Sequence, residues 1–167
     1  MLYYSGIDTQ SIVDGTGVRL VIFFSGCKHM CEGCHNPETW NFKCGREFTR
    51  EVKERIFDIV SRSQLIEGIT LSGGDPLFSP EEILHFILEF KHRCPDKNIW
   101  LYTGFELQNL IAENNANRMT ILSLCDYIVD GKYDYMKTKK KVLFRGSSNQ
   151  KIWKNENGEF VDVSKFY

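Results

Sequence analysis

The chain has 167 residues, of which 42% are hydrophobic and 26% are charged, and its formal net charge is -1. These totals are typical of a globular domain of ordinary size with a core of its own. They argue against a basic nucleic-acid-binding protein, and no apolar run reaches the ~18 residues that a membrane helix needs. We therefore expect no nucleic-acid partner, no membrane contact and a cytoplasmic location, where thiols stay reduced.

The first predicted elements are a strand, a helix and a second strand. Val18–Phe24 is an unbroken apolar run that ends in Ser-Gly, which is typical of a strand buried on both faces. Thr49 is the expected cap of a helix with apolar residues at helical spacing. A short strand at Ile69–Leu71 follows, and it leads into a glycine-rich turn.

The next predicted helix has the clearest start signal in the chain. Ser79 is the expected cap, Pro80 occupies the first helical position and Glu82 completes a capping box. The remaining predictions are a strand at Asn98–Tyr102, a helix from about Phe105 to Glu113, strands at Asp126–Asp130 and Lys141–Arg145, and a hairpin turning at Asn155–Gly158. The lysine-rich run before Lys141–Arg145 is expected to be a solvated loop.

Alternating strands and helices predict a parallel sheet with right-handed crossovers. A complete eight-unit barrel takes ~250 residues, which is more than this chain has. We therefore predict an α/β fold: a single domain over 1–167 that forms an open, partial β/α barrel. Its chemistry should lie at the carboxyl ends of the strands, where the loop 25–36 and the glycine-rich turn fall.

Cys27, Cys31 and Cys34 place three thiols within eight residues, directly after a strand. Thiolates are ligands for iron–sulfur clusters and for zinc. Three cysteines round a 4Fe–4S cluster would leave one iron open for a substrate, whereas zinc would need a fourth ligand such as His35. The adjacent positions of Cys34 and His35 fit poorly round one small ion, so the spacing favours the cluster without excluding zinc.

The other three cysteines lack such spacing. Cys94 and Cys125 are expected to be small buried hydrophobic residues. Cys44 lies in a polar segment just past the cysteine loop, and its role stays open.

Several motifs together resemble one known family. The spacing Cys-x3-Cys-x2-Cys after a first strand resembles the radical S-adenosylmethionine superfamily. The resemblance to its glycyl-radical activases, and among them to those that serve anaerobic ribonucleoside-triphosphate reductases, runs from about Gly6 to Gln150. The motifs that carry it are Val13–Arg19, Cys31–Trp40, Ser72–Pro76, Val129–Lys132 and Phe144–Gln150. The residue after the third cysteine is often Tyr in that subgroup, and here it is His35.

The resemblance implies a 4Fe–4S cluster on Cys27, Cys31 and Cys34 that cleaves S-adenosylmethionine reductively. The deoxyadenosyl radical would then take a hydrogen atom from a backbone glycine of the reductase, with an electron donor such as flavodoxin. The residues expected round S-adenosylmethionine are Gly33, Cys34, His35, Gly73, Gly74, Asp75, Asp130 and Arg145.

Each of these residues also has a plainer interpretation. Gly73 and Gly74 would let the backbone approach a ligand closely, although such a turn also simply joins a strand to a helix. Asp130 could hold ribose hydroxyls or face solvent, and Arg145 could meet the methionine carboxylate or a local acid. Two other functions stay open: an activase of a pyruvate formate-lyase-type enzyme, and a non-catalytic zinc or iron–sulfur module.

Overall fold

A computed structural model describes residues 1–167, and its strands form a single mixed sheet. The strands are β1 Tyr3–Ser11, β2 Val18–Phe24, β3 Arg46–Glu47, β4 Ile66–Gly73, β5 Asn98–Tyr102, β6 Tyr127–Asp130, β7 Lys151–Glu156 and β8 Glu159–Asp162. The helices are α1 Arg50–Arg62, α2 Pro80–Arg93, α3 Leu107–Glu113 and α4 Ala116–Leu124. No helix combines the length and the apolar character needed to cross a membrane.

The strand order is β3-β1-β2-β4-β5-β6-β7-β8. The central strands β2, β4, β5 and β6 run parallel, whereas the outer strands pair antiparallel at both sides. The sheet does not close on itself, which confirms the predicted open α/β fold. The antiparallel hairpin of β7 and β8 turns where predicted, whereas the antiparallel pairing of β1 with β2 and of β6 with β7 differs from the parallel sheet that we expected.

The main core lies between the sheet and the helices. The apolar stripe of α2 contributes four side chains that are 0% exposed, and these are Ile83, Phe86, Ile87 and Phe90. Helix α1 begins where predicted, since the hydroxyl of Thr49 accepts a hydrogen bond from the backbone N–H of Val52. The other face of the sheet carries a smaller cluster round Trp100 and Val129.

Two predicted features, the strand at Lys141–Arg145 and the cap at Ser79, are wrong. Lys141–Arg145 is not a strand, because β6 pairs with β7 instead and Phe144 adopts a φ of 62°, which interrupts an extended backbone. The Ser79 side chain makes no capping hydrogen bond. The short turn Pro76–Phe78 runs directly into α2, and the Glu82 carboxylate accepts a hydrogen bond from the amino group of Met1.

Arg19 lies on β2 and is 0% exposed. Its Nε donates to Thr70 Oγ1 at 2.8 Å, its Nη2 donates to the Ile69 carbonyl at 2.7 Å, and its Nη1 donates to the Thr16 carbonyl at 3.0 Å. Its guanidinium lies 5.8 Å from the ring of Trp100. Burial lowers the pKa of Arg19 to about 10, so the structure contains a costly buried cation, for which β4 and the segment before β2 supply acceptors.

We expect Arg19→Ala to lower the free energy of unfolding by about 3 kcal/mol, because it leaves a cavity and removes the donors for buried carbonyl groups. Urea unfolding of the anaerobic protein measures this effect. The exposed Arg55 of α1 provides the control, and Arg55→Ala should change stability by less than about 0.5 kcal/mol. Equal effects of the two substitutions would contradict a role for Arg19 in the sheet.

Candidate metal centre

The three cysteines of the loop after β2 line one cavity of about 180 Å³. The ends of β4 and β5 and the segment after β6 supply the other walls, so the cavity lies at the carboxyl edge of the parallel strands. Cys27 is 9% exposed, whereas Cys31 and Cys34 are half-buried. The loop therefore directs its thiols inward, where a bound group would be shielded from solvent.

Positive backbone angles shape this loop. Gly26 has a φ of 107°, and a side chain there would collide with the ring of Phe42. Its N–H donates to the Thr39 carbonyl at 2.7 Å. Met30 and Gly33 also have positive φ values, 51° and 74°, which turn the chain tightly between the cysteines.

Burial opposes ionisation of the thiols. It raises the pKa of Cys27 to about 11, although hydrogen bonds from the backbone N–H groups of His29 and Met30 offset part of this shift. Burial also raises the pKa of Cys31, against a hydrogen bond from the backbone of Tyr133. Since metals bind the thiolate, a metal must displace these protons, and its binding stabilises the buried sulfurs.

The glycine-rich turn after β4 packs against the backbone of the cysteine loop. Gly73 has a φ of 104°, and a Cβ atom there would lie 2.3 Å from backbone atoms of Phe24. A Cβ atom on Gly74 would lie 2.8 Å from the carbonyl oxygen of Gly26. The N–H of Gly74 donates to the Phe24 carbonyl at 2.7 Å. The turn needs glycine because two chain segments meet there, and the Gly74 N–H is not free for a ligand.

Asp75 ends this turn and is buried below the cavity. Its carboxylate contacts His29 of the cysteine loop, with 2.7 Å between His29 Nε2 and Asp75 Oδ2. The same oxygen accepts hydrogen bonds from the Thr103 hydroxyl and the Gly104 N–H, both at 2.9 Å. Asp75 therefore joins the ends of β4 and β5 to the cysteine loop.

The other predicted residues, apart from Gly33, line three adjoining cavities. The first holds His35, Gly73 and Gly74 together with the three cysteines. A polar cavity of about 720 Å³ beside it holds Asp130, whose carboxylate accepts a hydrogen bond from the Leu107 N–H and whose pKa is raised by burial. Gly33 lies outside the first cavity, close to Tyr135.

Arg145 lies in a third cavity, which shares His35 and Ser72 with the first. It donates to the carbonyl groups of Gln150 at 3.4 Å and Ser164 at 3.3 Å, and also to the carbonyl of Tyr167. These contacts tie the segment before β7 to the end of the chain. None of these acceptors is the side chain of an aspartate or a glutamate.

Sequence reasoning missed several residues of the first cavity. Tyr133 places its ring 4.9 Å from that of His35. Trp40 contributes a buried indole N–H that has no hydrogen-bond partner in the protein. His29 lies inside the cysteine motif, but nothing in the sequence connects it with Asp75, 46 residues away. Only the tertiary structure reveals that pair.

The donor set fits a cluster better than a single ion. Three soft sulfur ligands line one cavity, and thiolates are the ligands of iron–sulfur clusters. No three side chains among His, Cys, Asp and Glu converge closely enough to hold one metal ion. The unpartnered Trp40 N–H is a donor that a bound group in the cavity could satisfy.

Comparisons with known proteins agree with this geometry. Residues 13–153 match the family model of the 4Fe–4S single cluster domain. The chain is 40% identical to the anaerobic ribonucleoside-triphosphate reductase-activating protein of Enterobacteria phage T4, over 93% of this chain and 96% of the relative. It is 38% identical to the protein of the same name from Escherichia coli K12, over 84% of this chain and 91% of the relative. The chain therefore belongs to the 4Fe–4S single cluster domain family and to the family of anaerobic ribonucleoside-triphosphate reductase-activating proteins.

Proposed function

We propose that this protein activates an anaerobic ribonucleoside-triphosphate reductase by generating a glycyl radical on it. In this proposal Cys27, Cys31 and Cys34 hold a 4Fe–4S cluster, and S-adenosylmethionine binds beside it. The observation that carries the proposal is the single cavity that holds all three thiols at the carboxyl edge of the parallel strands. The relatives' names supply the reductase as the partner.

The cofactors would supply the difficult chemistry and the protein would position them. When bound, the reduced cluster supplies the electron for cleavage of S-adenosylmethionine, whose deoxyadenosyl group then takes the hydrogen atom of a partner glycine. The chain's own task is to hold the ligand, to exclude water and to admit that glycine. Each of these tasks can be assigned to residues of the three adjoining cavities.

We assign the walls of the first cavity to the two ends of S-adenosylmethionine. His35 and Tyr133 offer neighbouring ring faces on which the adenine can stack. Gly73 and Gly74 line the cavity with backbone atoms, and we assign this wall to the methionine end. The positive φ of Gly33 turns the loop so that Cys34 reaches the cavity.

Asp130 lines the polar cavity and Arg145 lines the third cavity, and both of these cavities adjoin the first. Asp130 is buried at the end of β6 and has one established hydrogen bond, so its carboxylate retains acceptor capacity for ribose hydroxyls. Arg145 is half-buried, and its guanidinium is directed mainly at carbonyl groups of the chain. Arg145 and Ser72 both line the third cavity. We propose that the methionine carboxylate contacts Arg145 there.

The open sheet suits a partner that must deliver its own backbone. A glycine inside another enzyme has to reach the cluster cavity on a mobile loop, and the polar cavity of about 720 Å³ provides an entrance beside it. The electron would come from a small carrier such as flavodoxin. A pyruvate formate-lyase-type partner has no support from the relatives' names, and a closed zinc site has no set of converging ligands.

Replacement of Cys27, Cys31 or Cys34 by Ala should abolish cluster assembly, because each removes one of three ligands. Cys94→Ala and Cys125→Ala should retain the full cluster and lose about 1 kcal/mol of stability, since both thiols are buried in the main core. Iron and sulfide contents after anaerobic reconstitution measure the result. Full loading in any of the three loop variants would refute the ligand assignment.

Gly74→Val should prevent stable cluster loading and S-adenosylmethionine binding together. The reason is that its Cβ would lie 2.8 Å from the Gly26 carbonyl, which pushes the cysteine loop away from β4. Gly6→Ala on β1 is the control, since no atom lies within 4 Å of its Cβ position. Visible absorption and equilibrium binding measure the two effects. Normal values for both in Gly74→Val would show that the loop does not depend on this contact.

The reduced, cluster-loaded protein with S-adenosylmethionine should form a glycyl radical on an anaerobic ribonucleotide reductase. We expect about tenfold more radical than on pyruvate formate-lyase, which corresponds to a preference of ~1.4 kcal/mol. Electron paramagnetic resonance measures the doublet from coupling to the remaining α-hydrogen. A signal only with pyruvate formate-lyase would replace the proposed partner. Cleavage of S-adenosylmethionine without a radical on either protein would contradict the proposed activity.

A further inference from the structure

The carboxylate of Asp75 is a hydrogen-bonding hub with a side chain only 1% exposed. Its Oδ2 meets His29 Nε2 at 2.7 Å and accepts from the Thr103 hydroxyl and the Gly104 N–H at 2.9 Å. Its Oδ1 accepts from the Leu77 N–H at 3.0 Å. A carboxylate can only accept hydrogen bonds. We therefore assign the tautomer of His29 that carries its hydrogen on Nε2, the ring nitrogen that faces Asp75.

His29 is held in place as firmly as its partner. Its side chain is 8% exposed, and its ring centroid lies 5.0 Å from that of Phe78 and 4.6 Å from that of Phe105. Arg118, which is on α4, places its guanidinium 4.4 Å from the centroid of the Phe105 ring. A Cβ atom on Gly104 would lie 2.5 Å from the imidazole, so there is no space into which the ring could shift on that side.

His29 is also the anchor of the segment between the first two cysteines. Of the three residues between Cys27 and Cys31, Lys28 and Met30 are exposed, and the Met30 side chain is 64% exposed. Only His29 connects this segment to the ends of β4 and β5 through its side chain. The position of the local backbone therefore depends on the His29 side chain, whose one polar contact is with Asp75 and whose ring packs against Phe78 and Phe105.

That backbone also lies next to the sulfur of Cys27, and the N–H groups of His29 and Met30 oppose the rise in the pKa of this thiol. Hydrogen bonds to cysteine sulfurs are among the factors that set the reduction potential of an iron–sulfur cluster. They disperse negative charge, and so they favour the reduced state. A displacement of this backbone would weaken them and lower the potential.

We propose that the His29–Asp75 pair is a positioning pair that raises the cluster's reduction potential by holding the His29 and Met30 amides against the Cys27 sulfur. The inference depends on Cys27 being a cluster ligand, as proposed above. The proposal gives Asp75 a role other than contact with the ligand. Its carboxylate accepts hydrogen bonds from protein donors and does not line the first cavity. His29, which lines both the first cavity and the polar one, becomes the functional partner of Asp75.

The test compares His29→Leu with His29→Gln. Leucine removes the hydrogen bond to Asp75, whereas the glutamine amide can donate from nearly the same position. The measurement is a redox titration followed by electron paramagnetic resonance. At a fixed solution potential, the ratio of reduced to oxidised cluster should be about tenfold lower in His29→Leu, which corresponds to a reduction potential lowered by about 59 mV for one electron. His29→Gln should recover at least half of this shift. His85→Leu, at an exposed position on α2, is the matched control and should keep the parent potential.

All potentials are measured on preparations with the parent's iron and sulfide content, so that lost cluster is not mistaken for a shift. If His29→Leu does not load, Gly104→Ala serves instead, because it displaces the imidazole and keeps both polar partners. A parent potential in the loaded variant, or equal shifts for leucine and glutamine, would overturn the proposal. Radical transfer to the reductase is scored separately: a shifted potential in a protein that never activates the reductase would reject the proposed function alone.

Discussion

The parallel pairing of β2 with β4 is the constraint on which the site depends. In this register Phe24 lies opposite Gly73, so the cysteine loop and the glycine-rich turn leave the sheet side by side. The two segments then touch through backbone atoms, with Gly74 donating to the Phe24 carbonyl and Asp75 donating to the Gly26 carbonyl at 3.0 Å. A shift of one residue would reverse the faces of β2 and separate the thiols from the turn.

The site combines a buried scaffold with thiols whose ionisation is unfavourable. The scaffold is the buried sheet, with α2 on one face and the Arg19 network on the other. The thiols of Cys27 and Cys31 are partly desolvated, and burial raises the pKa of both. A metal held by these thiols would relieve this penalty, so binding of the proposed cluster would be coupled to the loss of the thiol protons.

The strongest local signals predicted the fold well. The apolar run Val18–Phe24 and the strand Asn98–Tyr102 have the predicted bounds. Strand β1 has no such signal, because its sequence is mostly polar and only the two-residue strand β3 lies outside it in the sheet. The error at Lys141–Arg145 has a different origin: this short apolar run pairs with no strand, because Phe144 has a positive φ and its ring packs 5.4 Å from that of Trp100.

The cysteine spacing predicted the thiols of the site but not their supports. Three cysteines in one loop need no tertiary information, since adjacent residues must lie close together. The contact of His29 with Asp75 joins residues 46 positions apart, and no periodicity or motif encodes it. The same holds for the Tyr133 ring beside His35, which comes from the long segment between β6 and β7.

The burial of Cys94 and Cys125 has a consequence for how the protein withstands air. Burial raises the pKa of both thiols, so neither supplies thiolate for reaction with peroxide or for capture of stray iron. Cys44 is half-buried and lies just beyond the cysteine loop. Oxidation of cysteine in the metal-free chain is therefore expected at the cysteine loop and at Cys44, whereas the buried cysteines of the core stay reduced.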